Sequence, residues 1–342
     1  LIAGPAAAAC GVPVAKMSGR GLGFTGGTID KLGAIPGFQT AVEEQDFIDQ
    51  VNEKGIAVIG QTGHIAPADK KIYALRDVTA TVDNLSLITS SVMSKKLASG
   101  SDAILLDVKC GNGAFMQTKE EAEKLARLMV KIGRAHGKKT MAVISDMNQP
   151  LGCAIGNALE VKEAIEVLRG NGPEDISELS AALAGMMAYL GEKAATPEEG
   201  IAMAKEKIAD GSALQKFRDM VESQGGDPRI IEDTALLPQA EAELAFLADR
   251  DGCIEEIHAR KMGLASQHTG AGRERKEDEI DLAAGILLYK KVGDFVQKGD
   301  VICKIYGKNI KKLEKALEEI KNAVKISENP ANCNSLIHEV IQ

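Results

Sequence analysis

The chain has 342 residues, of which 44% are hydrophobic and 26% are charged, and these proportions are typical of a globular protein with a large core. The formal net charge is −8, aromatic residues make up 3% and tryptophan is absent, which excludes the basic field and the stacking platform that nucleic-acid binding requires. Six cysteines lie far apart without a C-x-x-C pair, so the sequence disfavours a structural zinc site or a disulfide framework and favours a reducing, cytoplasmic setting.

The first ten residues are small and apolar and superficially resemble an export segment. The first basic residue is Lys16, so no positively charged region precedes the apolar run, and Pro5 opposes a membrane-spanning helix. We therefore expect no export signal here. Because the chain opens with Leu1 and not with Met, we expect residues to have been lost or removed upstream.

Residues 12–170 alternate short apolar runs with longer amphipathic stretches, the pattern of strands and crossover helices in an α/β fold. The predicted strands are 12–17, 56–60, 103–108 and 141–145, and the predicted helices are 44–54, 118–136 and 157–169. Two more helices, 67–78 and 85–99, follow one another with no strand between them. We expect a mostly parallel sheet and an inserted helical pair that docks away from it.

The remainder of the chain changes character twice. Residues 173–247 are rich in Ala, Glu and Leu and predict helices, whereas short β-branched runs at 253–257, 286–289 and 301–306 and a last helix at 313–325 predict a small α+β domain. Segment 292–300 is similar to turns of biotinyl or lipoyl carrier domains, but no modification hairpin with an exposed lysine is evident, so a structural role is favoured. The predicted parts are 1–66 and 100–248 for the α/β domain, 67–99 for the helical pair and 249–342 for the C-terminal α+β domain.

A glycine-rich loop between the first strand and a predicted helix carries the strongest local signal. Five glycines occupy the nine positions 19–27, flanked by the hydroxyl residues Ser18 and Thr28. Glycines let backbone N–H groups approach an oxyanion, and a helix that begins near Thr28 directs its positive end to the same place. The loop therefore predicts an anion cradle; the alternative is a tight loop that only turns the chain.

The same loop also fits the dinucleotide-binding pattern G-x-G-x-x-G at 21–26, with Glu43 and Glu44 near the required acidic position. In that fold the glycines lead directly into the helix. Here Thr28 and the glycine before it extend the loop, and Pro36 interrupts the chain soon afterwards. NAD binding is therefore the weaker alternative.

A second group of polar residues lies in the predicted helical pair. Ser91 and Lys95 are four residues apart and share one helix face, and Tyr73 and Arg76 belong to the preceding helix. A guanidinium, an ammonium and a hydroxyl group suit a planar ligand that has carbonyl oxygens and a ring N–H and that acquires negative charge. The alternative is a set of ordinary surface ion pairs.

Together, these motifs resemble a known family. The stretch SGRGLGFTGGTIDKL at 18–32 resembles the signature of thymidine and pyrimidine-nucleoside phosphorylases, and APADKKIYALRDVTAT at 66–81 continues it. DVKCGNGAF at 107–115 and DMNQPLG at 146–152 keep the family's order. The resemblance covers essentially the whole chain and is closer to the bacterial pyrimidine-nucleoside phosphorylases, which accept uridine as well as thymidine.

The resemblance implies reversible phosphorolysis of pyrimidine nucleosides in nucleoside salvage, by a cytoplasmic pentosyltransferase that uses inorganic phosphate as co-substrate and requires no cofactor. It assigns Ser18 and Thr28 to phosphate. It assigns the pyrimidine to Arg76, Ser91 and Lys95, with Arg76 and Lys95 as catalytic residues and with Tyr73 and Phe115 flanking the base. The implied fold has the active site in a cleft between a small helical domain and a large α/β domain, in a homodimer that pairs through the helical domain.

The resemblance further implies a structural monovalent cation, such as potassium, near the hinge, because Leu151, Ala154 and Glu163 resemble part of that site. Three positions depart from the family pattern, since Phe24 replaces a frequent His, Gly33 a frequent Glu, and Cys110 a frequent Val or Thr.

A Lys-His-Ser-x-Gly-Gly loop, which in the family precedes the position where this chain begins, has no counterpart here. None of the five histidines sits in a matching motif; they are His64, His136, His258, His268 and His338. We expect an N-terminally incomplete phosphorylase. One alternative is a non-catalytic remnant that binds phosphate or nucleoside or only oligomerises. The other is a phosphoribosyltransferase of related architecture, which would need a magnesium-bound pyrophosphate site for which no matching acidic pair is seen.

Overall fold

A computed structural model describes residues 1–21, 25–60, 66–69, 72, 84–275, 278–329 and 334–342. The helices are α1 Ala3–Ala9, α2 Thr28–Leu32, α3 Glu44–Lys54, α4 Leu85–Ala98, α5 Lys119–Ala135, α6 Asn157–Leu168, α7 Glu174–Leu190, α8 Pro197–Ala209, α9 Ser212–Ser223, α10 Ala259–Ser266 and α11 Ile310–Ala323. The strands are β1 Val14–Ser18, β2 Ile56–Gly60, β3 Ala103–Cys110, β4 Lys139–Asp146, β5 Ala154–Gly156, β6 Ala242–Leu247, β7 Gly252–Ile257, β8 Gly285–Leu288, β9 Phe295–Val296, β10 Val301–Gly307, β11 Val324–Ser327 and β12 Ile337–Ile341. Short helical turns cover Pro228–Ile231, Thr234–Leu236 and Gln267–Ala271.

Local signals in the sequence explain where several helices begin and end. Thr118 and Glu121 form a reciprocal capping box at the start of α5, and the side chain of Asn84 accepts the Leu87 N–H at the start of α4. Gly55 adopts a left-handed conformation with φ +79° and ends α3. Of the predicted helix 67–78, only residues 67–69 and 72 are described, and they are helical.

The α/β part contains two parallel strand pairs. β1 pairs with β2, and β3 pairs with β4, whose other edge carries β12 in antiparallel orientation. Within the described ranges these strands form two separate sheets and not the single, mostly parallel sheet that was predicted. The carboxyl ends of the parallel strands, where open α/β sheets bind ligands, are at Ser18, Gly60, Cys110 and Asp146.

The C-terminal part contains an antiparallel sheet of order β5-β8-β10-β6 and a second one of order β11-β7-β9. Its core includes Ile302, Cys303 and Ile305 of β10 and Leu313 of α11, all fully buried. Two strands come from outside the predicted C-terminal segment 249–342, namely β5 and β6, and β6 was predicted to be helical. Conversely, β12 of that segment returns to β4. The two parts are therefore interleaved along the chain.

The helices pack mainly on the α/β part. α1, α6, α7 and α9 share a core with fully buried side chains such as Leu168 and Phe217. Helix α4 packs against helix α5, and its Met93, which is 1% exposed, belongs to the core cluster that also contains residues of β3. The apolar side of α4 explains this packing, since Ile88, Val92 and Leu97 accompany Met93 in the same cluster. The expectation that the helical pair docks away from the sheet stays a prediction. In the part of the chain that the structure describes, no helix is long and apolar enough to cross a membrane.

Candidate active site

The glycine-rich loop closes on itself at the carboxyl end of β1. Ser18 is the last residue of β1 and Thr28 the first of α2, and the Ile29 N–H donates to the Gly19 carbonyl at 3.4 Å, so the two hydroxyl residues stand at the two ends of one closed loop. The glycines permit this closure, because a Cβ on Gly27 would lie 2.1 Å from the Gly21 nitrogen. Sequence reasoning therefore placed Ser18 and Thr28 on a common loop, as the structure does.

One N–H of the predicted anion cradle already has a partner. The Gly21 N–H donates to Oδ2 of Asp30 at 2.7 Å, and Asp30, in the first turn of α2, is 8% exposed. The same carboxylate accepts two hydrogen bonds from the guanidinium of Arg273, at 3.2 and 3.0 Å. Close packing thus explains why glycine occupies positions 21 and 27. Anion binding would depend on the other N–H groups of the loop, because Asp30 already accepts that of Gly21.

Ser91 and Lys95 lie together on α4, as their spacing predicted. The Lys95 ammonium donates to the Ser91 hydroxyl at 2.8 Å and to the Ser91 carbonyl at 2.7 Å. It also forms an ion pair with Asp69, whose side chain is 9% exposed. Sequence reasoning missed Asp69, although it lies within the quoted family motif. The ammonium of Lys95 thus contacts both a hydroxyl group and a carboxylate.

Helix α4 and strand β1 carry lysines that influence each other electrostatically. The pKa of the Lys16 ammonium, two residues before Ser18, is lowered by desolvation and then by the charge of Lys96, which follows Lys95 in α4. The two ammonium groups are therefore within electrostatic range of each other. Tyr73 and Arg76 lie outside the described residues, so their predicted roles remain predictions. Phe24, a departure from the family pattern, also lies outside them.

Phe115 sits in the loop that follows β3, with 54% of its surface exposed. Two hydrogen bonds to the segment after β4 hold this loop in place. The Gly113 N–H donates to the Met147 carbonyl at 2.9 Å, and the Asn112 N–H donates to Oδ1 of Asn148 at 3.1 Å. An exposed ring on a fixed loop is available to stack against a ligand.

Asn112 and Asn148 join this loop to the C-terminal part of the chain. Asn148 donates to the Asp146 carboxylate through Nδ2 at 2.7 Å, and Oδ1 of Asn112 accepts the N–H of Ala259, the first residue of α10, at 2.9 Å. Nε2 of His338, one of the five histidines outside any matching family motif, lies 3.3 Å from Oδ1 of Asp146. The loops after β3 and β4 thus form one polar network that sequence reasoning did not foresee.

A further polar group lies on β3 near the loop. Asp107 accepts a hydrogen bond from the Ser145 hydroxyl at 2.5 Å and forms an ion pair with Lys109 at 2.6 Å. The alternation of β3 explains this, since Leu106 and Val108 point into the core while Asp107 and Lys109 point to the opposite face. Asp107 and Lys109 both belong to the DVKCGNGAF motif, so their alternation with apolar residues could have indicated in the sequence that they share one face of the strand.

Glu163 is the only charged side chain among the three residues predicted for a monovalent cation, Leu151, Ala154 and Glu163. It is 9% exposed, and its Oε1 accepts the N–H groups of Cys153 at 2.6 Å and Ala154 at 3.0 Å. Burial raises its pKa to about 7, although these N–H groups act in the opposite direction. Its Oε2 lies beside Gly152, where a Cβ would come within 2.4 Å. In the described residues, the main-chain groups that contact this carboxylate are N–H donors, so the predicted cation site stays a prediction.

Two of the three departures from the family pattern fall on described residues. Gly33 ends α2 with φ −63°, so no left-handed backbone requires a glycine there. Cys110 ends β3 and is 5% exposed, and burial raises the pKa of its thiol. Cys110 is therefore a packing residue in this structure and not a reactive thiol.

Comparison with known proteins defines the class of the chain. Residues 1–214 match the model of the glycosyl transferase family, a/b domain, and residues 253–327 match that of the pyrimidine nucleoside phosphorylase C-terminal domain. Among solved structures, anthranilate phosphoribosyltransferase from Thermus thermophilus is similar with a TM-score of 0.52, covering 65% of this chain and 71% of that one. At 20% identity, this likeness concerns the fold alone.

Relatives of known function narrow the class. The pyrimidine-nucleoside phosphorylases of Staphylococcus haemolyticus, Geobacillus stearothermophilus and Bacillus subtilis are each 52% identical over 341 residues, which is 100% of this chain and 78% of the relative. The chain belongs to the pyrimidine-nucleoside phosphorylase family. The resemblance seen in the sequence motifs is thereby confirmed.

Proposed function

We propose that this protein catalyses the reversible phosphorolysis of pyrimidine nucleosides. A phosphate oxygen forms a bond to C1′ of the pentose while the bond from C1′ to the base nitrogen breaks. The electron pair of that bond leaves with the base, which takes up a proton. The products are the free pyrimidine and α-(deoxy)ribose 1-phosphate.

The contact between Lys95 and Ser91 carries this proposal. Breaking the glycosidic bond builds negative charge on the base, and a cationic donor on the base stabilises that charge most in the transition state. The Lys95 ammonium, 2.8 Å from the Ser91 hydroxyl, would supply such a donor next to a neutral one when the base replaces one of its acceptors, which are Asp69 and the Ser91 hydroxyl and carbonyl. We assign Arg76 the same task on the base, and Tyr73 and Phe115 the flanking of its ring.

The glycine-rich loop is the proposed phosphate site. Ser18 and Thr28 provide hydroxyl donors at its two ends, and the loop follows a parallel strand at its carboxyl end. Bound phosphate brings negative charge to C1′, where positive charge develops as the base leaves. The base-binding segment 67–99 and the α/β part would form the two sides of the cleft, and closure of the cleft would bring phosphate and nucleoside together.

The remaining expectations complete the proposal. The reaction needs no cofactor, because the charges involved are met by side chains and by phosphate. Glu163 and the carbonyl groups of Leu151 and Ala154 would hold a monovalent cation of structural importance. We further propose a homodimer that acts in the cytoplasm.

The test is release of uracil from uridine and of thymine from thymidine, with and without phosphate. It is run on this chain and on a form extended to the length of its relatives. Release that requires phosphate and yields pentose 1-phosphate supports the proposal. Release that requires pyrophosphate and magnesium favours a phosphoribosyltransferase, and absence of release in both forms favours a non-catalytic binding protein.

A matched pair of variants tests the site itself. Lys95→Met removes the proposed donor, whereas Lys131→Met removes an exposed lysine of α5. Loss of activity in the first variant only is the expected result, and equal activity in both would contradict the assignment of Lys95.

A further inference from the structure

An ion pair between distant parts of the chain ends at the glycine-rich loop. Nη1 and Nη2 of Arg273 lie 3.2 and 3.0 Å from Oδ2 and Oδ1 of Asp30, so the contact is bidentate. The exposed fraction is 18% for the Arg273 side chain and 8% for that of Asp30. A pair that is this enclosed and held at two points is strongly oriented, unlike an exposed ion pair.

Asp30 connects Arg273 to the glycine-rich loop. Its Oδ2 accepts the N–H of Gly21 at 2.7 Å while it also accepts a hydrogen bond from Arg273. Gly21 lies close to the far end of the loop, because a Cβ on it would be 2.6 Å from the Thr25 carbonyl oxygen and 3.0 Å from the Gly27 nitrogen. A shift of the Asp30 carboxylate would therefore move both ends of the loop.

Arg273 itself is held firmly by the chain that precedes it. Asn157, the first residue of α6, donates through Nδ2 to the Ala271 carbonyl at 2.9 Å, and the Ser266 hydroxyl donates to the Ile155 carbonyl at 3.2 Å. Gln267 donates to the carbonyl of Arg273. The cavity left between this segment, α6 and the loop has a volume of about 40 Å³, enough for only a few waters. The guanidinium thus reaches Asp30 from a fixed base.

We infer that Arg273 is a positioning residue for phosphate binding, acting through Asp30 on the glycine-rich loop without touching the substrate. The inference rests on the proposed function, since it takes this loop as the phosphate site. Without the guanidinium, the buried Asp30 carboxylate keeps the hydrogen bond from the Gly21 N–H but loses both hydrogen bonds from Arg273. The loop then loses its connection to the C-terminal part of the chain. Phosphate affinity is then expected to fall, while nucleoside affinity stays unchanged.

The first experiment needs no catalysis. Hydrogen exchange is measured over residues 18–32 in the wild type, Arg273→Met, Arg273→Lys and the control Arg250→Met, whose guanidinium pairs with Asp249 on the surface. We expect exchange in this segment to be about 10-fold faster in Arg273→Met, intermediate in Arg273→Lys because an ammonium restores the charge without the fork, and unchanged in Arg250→Met. Equal exchange in all four proteins overturns the inference.

The second experiment separates positioning from general damage. In whichever form of the protein is active, Arg273→Met should raise the KM for phosphate about 10-fold and leave the KM for uridine within about 2-fold. Asp30→Asn, which keeps an acceptor for the Gly21 N–H, serves as the second variant, and its effect should not add to that of Arg273→Met. Equal rises in both KM values overturn the inference. If the wild type itself lacks phosphorolysis, the proposed function fails, while the exchange experiment still decides whether Arg273 orders the loop.

Discussion

Replacing Glu163 by Gln tests the energetic consequence of burying a carboxylate in a main-chain pocket. The side chain is 9% exposed, and burial raises its pKa from the ordinary 4.5 to about 7. Folding thus favours the protonated acid, so the unfolded state ionises near pH 4.5 while the native state keeps its proton until about pH 7. The free energy of unfolding should fall over that interval by about 3 kcal/mol, from 1.36 kcal/mol per pKa unit.

The Gln variant keeps an oxygen for the N–H groups of Cys153 and Ala154 but cannot ionise. Urea unfolding of both proteins between about pH 4.5 and pH 8 gives the comparison, because all other titrating groups are shared. The wild type should lose about 3 kcal/mol relative to the variant as the pH rises. Two parallel stability curves would refute the reasoning from burial.

A monovalent cation at Glu163 would offset this loss, because a bound positive charge stabilises the ionised carboxylate. Potassium chloride should therefore raise the unfolding temperature of the wild type at about pH 8 relative to choline chloride at equal ionic strength. The effect should vanish at about pH 5 and in the Gln variant, since neither has the charged ligand. A potassium effect of the same size in the Gln variant would contradict the site.

Three substitutions probe the proposed base-binding segment and the glycine-rich loop. Lys95→Met should lower kcat/KM by about 10²-fold, the scale of losing a charged transition-state donor, while Lys131→Met should not change it. Asp69→Asn should lower kcat/KM about 10-fold at unchanged KM for phosphate, because it removes the buried partner that orients Lys95; steady-state kinetics with each substrate varied decide this. Gly27→Ala should destabilise the protein by about 1–3 kcal/mol in urea unfolding, since its Cβ would lie 2.1 Å from the Gly21 nitrogen, whereas Gly19→Ala, with nothing within 4 Å of its Cβ, should be tolerated.

The sequence predicted the elements better than their arrangement. Helix 44–54 and strand 56–60 were predicted with their observed bounds, because a glycine cap and a continuous apolar run are local signals. Strands β6 and β12 were not predicted. The composition of residues 173–247 indicated helices, and the pairing of β12 with β4 joins residues too far apart to leave a trace in local periodicity. The packing of α4 on α5 was not predicted either, because a contact between two helices depends on the tertiary fold and not on the pattern within each helix.

The residues of the candidate site likewise divide into those placed by local spacing, which were predicted, and those placed by long-range contacts, which were not. Ser91 with Lys95, and Ser18 with Thr28, were found because each pair is set by helix spacing or by a single short loop. Asp69, Asn148 and Arg273 were missed, because their roles depend on contacts that span from 26 to 243 residues of the chain. The family motifs contain Asp69 and Asn148, but a motif does not state which of its side chains meet.

The C-terminal part of the chain connects two loops that follow the carboxyl ends of strands in two separate sheets. Helix α10 begins at Ala259, and the N–H of Ala259 donates to Asn112 in the loop that also contains Phe115. The segment after α10 ends at Arg273, which forms the ion pair with Asp30 at the glycine-rich loop. Eight helical residues rise about 12 Å, so one short, well-packed stretch of chain reaches from one loop to the other. The strand pairs of β5 with β8 and of β12 with β4 also join the C-terminal part to the α/β part. Residues 259–273 therefore link the loop of the proposed base-stacking ring to the proposed phosphate loop, although they contribute no group to the proposed chemistry.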